Sequence, residues 1–183
     1  TPRFPERVVS PMEVAYTDDE RRAHRALAEY SALRTGGARD DAERYASEFV
    51  LKLLKKRLLS SPQAFLITLE KHRESLRSAR KGRANVAAHP GILRRQVEGL
   101  EDDAADDDAA EQAAGDAVDS AAALFRPLSA DEQRLLDELH CWARMAASRP
   151  DAKARHLIAW LQKELKPGGA WSDRRVILFT EYR

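Results

Sequence analysis

Helix-start signals followed by apolar residues at helical spacing restrict the fold of this chain more than any other feature. Thr17-Asp18-Asp19-Glu20 and Ser129-Ala130-Asp131-Glu132 both have the pattern of a capping box, in which two side chains satisfy free backbone N–H groups reciprocally. Asp40 begins a further helix, and Ser60-Ser61-Pro62-Gln63 ends that helix and starts another, with serine as the cap and proline tolerated in the first turn. The sequence therefore predicts several separate helices.

The apolar residues that follow these signals fall on one helical face in each segment. The predicted faces consist of Ala23, Ala26, Leu27, Tyr30 and Leu33; of Ala46, Val50, Leu53, Leu54 and Leu58; of Phe65, Leu69, His72, Leu76 and Ala79; of Leu135, Leu136, Leu139, Trp142, Ala143 and Ala146; and of Ala154, Leu157, Ile158, Leu161 and Leu165. Hydrophobic residues make up 43% of the chain, which is enough for a core. We predict an all-α fold, a helical bundle.

Two parts of the chain do not follow this pattern. Residues 98–119 are rich in Ala, Asp and Glu and contain no Lys or Arg and almost no large apolar residue, so they predict a flexible acidic linker that interrupts the bundle. Residues 1–16 contain three prolines and predict an extended lead-in. The predicted segments are the lead-in at 1–16, helical regions at 17–97 and 120–169, the acidic linker at 98–119, and a strand within 170–183.

The predicted strand is the unbroken apolar run Val176-Ile177-Leu178-Phe179. Such a run, rich in β-branched and aromatic residues, is typical of a strand buried on both faces of a parallel sheet. The sequence offers no second convincing strand to satisfy its backbone groups. We therefore interpret it as the first strand of a truncated α/β lobe, and the chain as a piece of a larger protein.

The sequence contains no recognisable catalytic constellation. Its histidines and its single cysteine have no ligand-like spacing, which argues against a metal site. The glycine pairs Gly36-Gly37 and Gly168-Gly169 follow predicted helices, where they are better explained as helix stops than as a phosphate-binding loop. We predict that the chain holds no cofactor or metal of its own, and that His72 is a hydrogen-bonded core residue.

Two clusters of basic residues are candidates for contact with nucleic acid. Lys52, Lys55 and Lys56 lie opposite an apolar helix face, and a second cluster ends the next helix. Such residues bind the phosphate groups of a nucleic acid without recognising its base sequence. The second cluster consists of Arg77, Arg80, Lys81 and Arg83. A solvated surface is the simpler interpretation, because Glu48 precedes Lys52 by one helical turn.

Arg57 differs from these residues because it falls between Leu53 and Leu54 on the apolar side of the helical wheel. We predict that it is buried and paired with a carboxylate that fixes its helix to a neighbour. The net charge of +1 gives no global field for nucleic acid, and no stretch has the length of a membrane span. A single cysteine fits a reducing cytoplasm.

Three stretches carry a resemblance to a known family. They are Pro2-Arg3-Phe4-Pro5-Glu6-Arg7-Val8-Val9 leading into Thr17-Asp18-Asp19-Glu20-Arg21; Leu53-Leu54-Lys55-Lys56-Arg57-Leu58-Leu59-Ser60-Ser61-Pro62-Gln63-Ala64-Phe65; and Lys153-Ala154-Arg155 through Leu161 followed by Val176-Ile177-Leu178-Phe179-Thr180-Glu181-Tyr182-Arg183. In order and spacing they resemble the bacterial Swi/Snf-like branch of superfamily-two helicases, in particular the helicase-related proteins of phage-defence systems such as DISARM. The chain resembles the region between the two RecA-like lobes.

The resemblance implies a parent protein that hydrolyses ATP with magnesium and moves along duplex nucleic acid, expected to be DNA, as its lobes open and close. The family's nucleotide-binding loop, acidic metal-binding motif and arginine finger lie outside these residues, so the fragment itself is expected to lack ATPase activity. Thr180 matches the position where the second lobe approaches a phosphate backbone. The helical body would act as a spacer between lobes and as a second grip on DNA; the alternative is a helical protein-interaction module without a nucleic-acid role.

Overall fold

The structure is a computed structural model that describes residues 8–81, 90–102 and 107–179. Its helices are α1 (Asp18–Gly36), α2 (Asp41–Ser60), α3 (Pro62–Arg80), α4 (Pro90–Asp102), α5 (Asp107–Ala122), α6 (Ala130–Ala146) and α7 (Ala152–Leu165), followed by a short 3-10 turn at Pro167–Gly169. No strand forms within these ranges. The prediction of an all-α helical bundle is confirmed.

Helices α1 to α6 pack as three layers of two. The antiparallel pair α2 and α3 forms the middle layer; α1 packs on α2, α6 packs on α3, and these two outer helices also contact each other. On the other side, α5 packs against α2 and α3, and α4 covers α2 and α5. The core therefore lies on both faces of the α2–α3 hairpin, with Tyr30, Leu54, Phe65, Leu69 and Leu139 fully buried.

Side-chain caps fix the beginnings of the helices. At α1 the Thr17 hydroxyl accepts a hydrogen bond from the Glu20 N–H at 3.2 Å, and the Glu20 carboxylate accepts one from the Thr17 N–H at 2.6 Å. Ser129 and Glu132 form the same reciprocal pair at α6, with distances of 3.2 and 2.7 Å. Both predicted capping boxes are confirmed.

The predicted face of α1 is wrong at one position. Leu33 is exposed, and the neighbouring Arg34 is buried in its place. Arg34 follows Tyr30 by four residues and Leu27 by seven, so its side chain lies on the same stripe as theirs. Its guanidinium group lies over the Phe125 ring, 4.6 Å from the centroid, and faces two carboxylates that take the place of water.

The prediction of a flexible linker at 98–119 is wrong for residues 98–102, which end helix α4, and for residues 107–119, which belong to helix α5. Ala114, Ala117 and Val118 of α5 are buried, and Ala121 continues the same face. These small side chains recur every three or four residues, so the α5 backbone can approach α3 closely and the helix becomes part of the core. The low content of large apolar residues was therefore a poor guide to disorder. Residues 103–106 lie outside the described part of the chain.

Helix α7 does not pack against the bundle as its apolar stripe predicted. Asp151 caps it, but Ala152 is its one buried residue, whereas Ile158 is exposed and Leu157 and Leu161 are half-buried. The bundle holds its beginning through two contacts: the Ala152 N–H donates to the Glu20 carboxylate at 2.8 Å, and the Lys153 ammonium donates to the end of α2. The rest of α7 projects away from the other helices.

The predicted strand at the end of the chain does not form within the described residues. Residues 173–179 belong to neither a helix nor a strand, and Ile177, Leu178 and Phe179 are exposed. The physical reason is the missing partner, because a strand forms only where another strand accepts and donates its backbone hydrogen bonds. No helix in the described part has the length and hydropathy of a membrane span.

Candidate functional site

Lys52, Lys55 and Lys56 form one exposed cluster on α2, named here the α2 basic cluster. The opposite side of the same helical turns buries Leu51, Leu54 and Leu58 in the core, so the amphipathic pattern of the sequence directs the lysines outward. The cluster lies in the second half of α2, next to the turn into α3. It therefore forms a compact basic surface at one end of the central hairpin.

Lys153 of α7 extends the α2 basic cluster. Its ammonium group donates to the Ser60 carbonyl at 2.6 Å and to the Leu59 carbonyl, so a lysine from 93 residues further along the chain neutralises the carbonyl end of α2. The sequence did not identify Lys153 as part of this surface, because such a long-range contact leaves no mark in local spacing. A local signal did exist, because the carbonyl groups at the C-terminal end of a helix attract a cation.

The positive charges of Lys55 and Lys153 both act on His24 of α1. Burial lowers the pKa of His24, Glu20 opposes this effect, and the positive charges of Lys55 and Lys153 lower it further. Lys55 and Lys153 therefore act on the same point of α1 from two different helices. The combined surface favours a ligand that carries several negative charges.

Of the second predicted cluster, Arg77, Arg80 and Lys81 lie toward the free end of α3, and Arg83 lies outside the described residues. Along the antiparallel pair, at a rise of about 1.5 Å per residue, Lys52 and Arg77 are offset by about 10 Å, and Lys56 and Lys81 by about 22 Å. The two predicted clusters therefore occupy different levels of the hairpin. Arg77 lies 3.7 Å from the Glu74 carboxylate, and Arg80 and Lys81 are exposed.

Arg57, which the sequence predicts to be buried and paired, is 8% exposed and forms an ion pair with Glu111 of α5. Glu111 itself is about half exposed, at 48%. A second contact of the same type lies near the end of α5. There the Lys71 ammonium donates to the Asp119 carboxylate at 2.6 Å, and the Ser75 hydroxyl donates to the same carboxylate at 2.5 Å. Acidic side chains of α5 thus attach it to the basic sides of α2 and α3.

A buried network of opposite charges was missed by sequence reasoning. Glu43 and Glu132 are fully buried, and Arg34 lies 3.6 Å from each of them. Arg126 donates to both Glu132 oxygens at 2.8 and 2.7 Å, and its backbone N–H donates to Glu43 at 2.7 Å. The network joins α1, α2, α6 and the segment between α5 and α6, so it fixes their relative positions.

Hydrogen bonds and nearby arginines keep these carboxylates charged despite burial. Burial alone raises the pKa of Glu132, but the hydrogen bonds from Arg126 and the Ser129 N–H and the charge of Arg34 outweigh it, and the net effect is a lowered pKa. The pKa of Glu43 is also lowered, chiefly because the hydrogen bonds from Arg39 and the Arg126 N–H exceed the effect of burial. The network is therefore structural: its opposite charges compensate one another, while the Nε and Nη2 atoms of Arg34 are buried without a hydrogen-bond partner.

His72 is 1% exposed, and its Nε2 atom lies 2.8 Å from the Tyr30 hydroxyl. Burial and, to a smaller extent, the positive charge of Arg34 together lower the pKa of His72 to about 3. Burial also raises the pKa of Tyr30. The pair is neutral at physiological pH and connects α1 to α3 within the core, as the sequence-based interpretation of a hydrogen-bonded core histidine describes.

Exposed basic residues at the α2 end are the arrangement best suited to binding a ligand from solution. Thr180 lies outside the described residues, and among those described no group of three or more His, Cys, Asp and Glu side chains has the geometry of a metal site. The surface thus offers electrostatic binding. No family model matches the chain, and searches of the curated proteins and of the solved structures found no match.

Proposed function

We propose that the chain is the helical region between the two motor lobes of an ATP-dependent DNA helicase or translocase of the Swi/Snf-like type. In this role the bundle is a spacer that sets the distance between the lobes and a second grip on the DNA backbone. ATP and magnesium are bound by the lobes of the parent protein, and the bundle hydrolyses no ATP. The proposal rests on the sequence resemblance and on two surfaces of the structure.

The α2 basic cluster is the observation that carries the DNA grip. Lys52, Lys55 and Lys56 are exposed, and Lys153 adds a further ammonium group at the end of α2. Lysine side chains on a rigid helix neutralise phosphates without reading base sequence, which fits a protein that moves along DNA. The contribution of Arg77, Arg80, Lys81 and Thr180 to nucleic-acid binding stays a prediction.

The apolar surface of α7 and of the segment after it supports the contact with a motor lobe. Ile158 is exposed, and beyond the helix Trp171 and Phe179 are 73% and 93% exposed. Large exposed apolar groups concentrated in one part of a chain are typical of surfaces that contact another folded unit. The projection of α7 away from the bundle places these groups where a lobe can reach them.

Salt-dependent binding of duplex DNA tests the grip. We expect binding at low ionic strength, and we expect the triple variant Lys52→Glu, Lys55→Glu, Lys56→Glu to weaken it and to make it less dependent on salt. Because each neutralised phosphate contributes about 0.9 to the slope of log K against log salt, loss of three contacts lowers that slope by about 3. The triple variant Arg144→Glu, Lys163→Glu, Arg175→Glu has the same change in charge on exposed residues elsewhere.

If binding fell equally in the two triple variants, the change in net charge alone would explain the loss, and a specific contact of α2 with DNA would be refuted. No binding to duplex DNA at low ionic strength would refute the grip altogether. Circular dichroism of each variant at the same concentration checks that helical content is unchanged, so that loss of binding reports on the surface.

A helical protein-interaction module is the second candidate. The exposed apolar groups of α7 and of residues 170–179 favour it directly, since they provide an interface without any nucleic acid. The two functions differ in the α2 basic cluster, which the module does not need. Retention of a protein partner by the α2 triple variant, together with absence of DNA binding by the wild type, would support the module and contradict the helicase role.

A further inference from the structure

A groove lies between the end of α3, the segment that follows α5, and the beginning of α6. Its cavity volume is about 670 Å³, within the range of pockets that hold a small ligand or a few side chains of a peptide. It lies toward the free end of α3, and no residue of the α2 basic cluster is among its lining residues. The groove is therefore independent of the surface on which the proposed DNA grip depends.

Arginine residues supply the charge of the groove. Arg73, Arg77, Arg80 and Arg126 line it, and no carboxylate-bearing residue is among the lining residues. Arg73 is held by Asp137 at 2.6 Å and by the Leu136 carbonyl at 3.3 Å, so it forms a fixed wall. Arg126 is likewise held by its bidentate contact with Glu132.

Arg77 and Arg80 are the groups available to a ligand. Arg77 is 59% exposed, and its nearest carboxylate, Glu74, is at a distance of 3.7 Å. Arg80 is exposed, and no carboxylate lies within ion-pair distance of it in the part of the chain that the structure describes. Two guanidinium groups one turn apart on α3 match two carboxylates separated by a similar distance.

The floor of the groove is apolar. Leu76, Phe125 and Leu128 line it and are half-buried, as are the small side chains Ala79 and Ala123. A ligand that used charge alone would leave this floor exposed to water, so the geometry favours a ligand with an apolar group beside its negative charges.

We infer that this groove is a docking site for an acidic peptide segment of a partner protein that carries one large apolar side chain. The carboxylates contact Arg77 and Arg80, and the apolar side chain enters the space over Leu76 and Phe125. Duplex DNA fits less well, because its backbone presents phosphates without an apolar group that could cover the floor.

Residues 107–119 of the acidic tract are held elsewhere by their own ion pairs. Helix α5 places Glu111 beside Arg57 of α2, and Asp119 beside Lys71 and Ser75 of α3. The helix thus runs in the same direction as α3, and these acidic side chains do not occupy the groove.

Fluorescence anisotropy with a defined probe tests the inference. The probe is a fluorescein-labelled peptide of sequence Asp-Glu-Asp-Phe-Asp-Glu-Asp, and its partner probe has alanine in place of phenylalanine. We expect the wild-type chain to bind the first probe and to bind the second about tenfold more weakly, since a buried aromatic side chain contributes most of the apolar contact.

Two variants separate charge from shape. Arg77→Glu with Arg80→Glu reverses the available charges, and Ala79→Phe fills the space over the floor while leaving every charge in place. Each is expected to weaken binding of the phenylalanine probe by about tenfold or more. The matched control, Arg144→Glu with Lys163→Glu, has the same change in charge outside the groove and is expected to bind as the wild type does.

Equal binding of the two probes would overturn the inference, because the apolar floor would then have no occupant. It would also be overturned if Ala79→Phe bound the phenylalanine probe as tightly as the wild type, or if the groove and control variants lost binding equally. Displacement of the probe by duplex DNA in the α2 triple variant would assign the groove to nucleic acid instead. Unchanged circular dichroism excludes unfolding as the cause of any loss.

Discussion

Replacing His72 with glutamine tests whether burial of this side chain makes the bundle sensitive to mild acid. His72 is 1% exposed; Tyr30 and Arg34 of α1 face it, and the Phe125 ring lies 5.9 Å from its own. Its pKa falls from an ordinary 6.5 to about 3, so the folded chain keeps it neutral where the unfolded chain protonates it. Its contribution to stability is therefore fully present above pH 6.5 and is lost as the pH falls toward 3.

The size of this effect follows from the two pKa values. Each pH unit below the unfolded pKa lowers the free energy of unfolding by about 1.4 kcal/mol until the folded pKa is reached, so a change from neutral pH to about pH 5 removes about 2 kcal/mol. Glutamine retains a hydrogen-bonding group for the Tyr30 hydroxyl but cannot titrate. Urea unfolding at the two pH values measures the difference in free energy.

We expect the wild-type chain to lose about 2 kcal/mol more than His72→Gln over this interval. The lowered pKa values of Glu43 and Glu132 do not interfere, because the stability that they contribute is lost only as the pH falls below the ordinary glutamate range. Equal losses in the two proteins would refute the assignment of acid sensitivity to His72. A variant at exposed His156 serves as the matched control.

Two further substitutions test the charged contacts of the fold. Glu132→Ala removes the acceptor of two Arg126 hydrogen bonds and half of a capping box, and it leaves Arg34 without one of its carboxylates. It should therefore lower the free energy of unfolding by about 3–5 kcal/mol. The control Glu138→Ala, on the exposed side of α6, should change this free energy by less than about 0.5 kcal/mol. Arg57→Met should lower it by about 1–2 kcal/mol, because half-exposed Glu111 regains water when its partner is removed, and unchanged urea unfolding would contradict a role for this ion pair.

The local parts of the fold were the parts that the sequence predicted well. Caps at Thr17, Asp40, Ser61 and Ser129 depend on residues within three positions of one another, so a short pattern determines them. The buried face of α2 also follows from the spacing of its leucines. These features need no knowledge of where the next helix lies.

The missed features depend on residues that are distant in sequence. Arg34 looked like a surface residue because its partners Glu43 and Glu132 come from two other helices, although its position after Leu27 and Tyr30 was a usable signal. Lys153 joins the α2 basic cluster through a contact across 93 residues. The groove arises because the segment after α5 crosses the end of α3, and no local pattern encodes that crossing.

Helix α5 was missed for a different reason. A composition rule counts large apolar residues, and α5 has almost none. What matters for a helix packed against another is that the residues on the contact side are small enough to allow close approach, and Ala114, Ala117 and Ala121 satisfy this at helical spacing. A helical wheel drawn for alanine would have predicted it.

The alanine face of α5 also determines where the bundle opens first. A methyl group buries little apolar area, so separating α5 from α3 loses less hydrophobic free energy than separating α6, whose buried face consists largely of leucines. We therefore expect amide hydrogens of α5 to exchange with solvent through a local opening, and those in the middle of α3 to exchange only through global unfolding. Salt screens the ion pairs at Glu111 and Asp119, so a higher ionic strength should speed the exchange of α5.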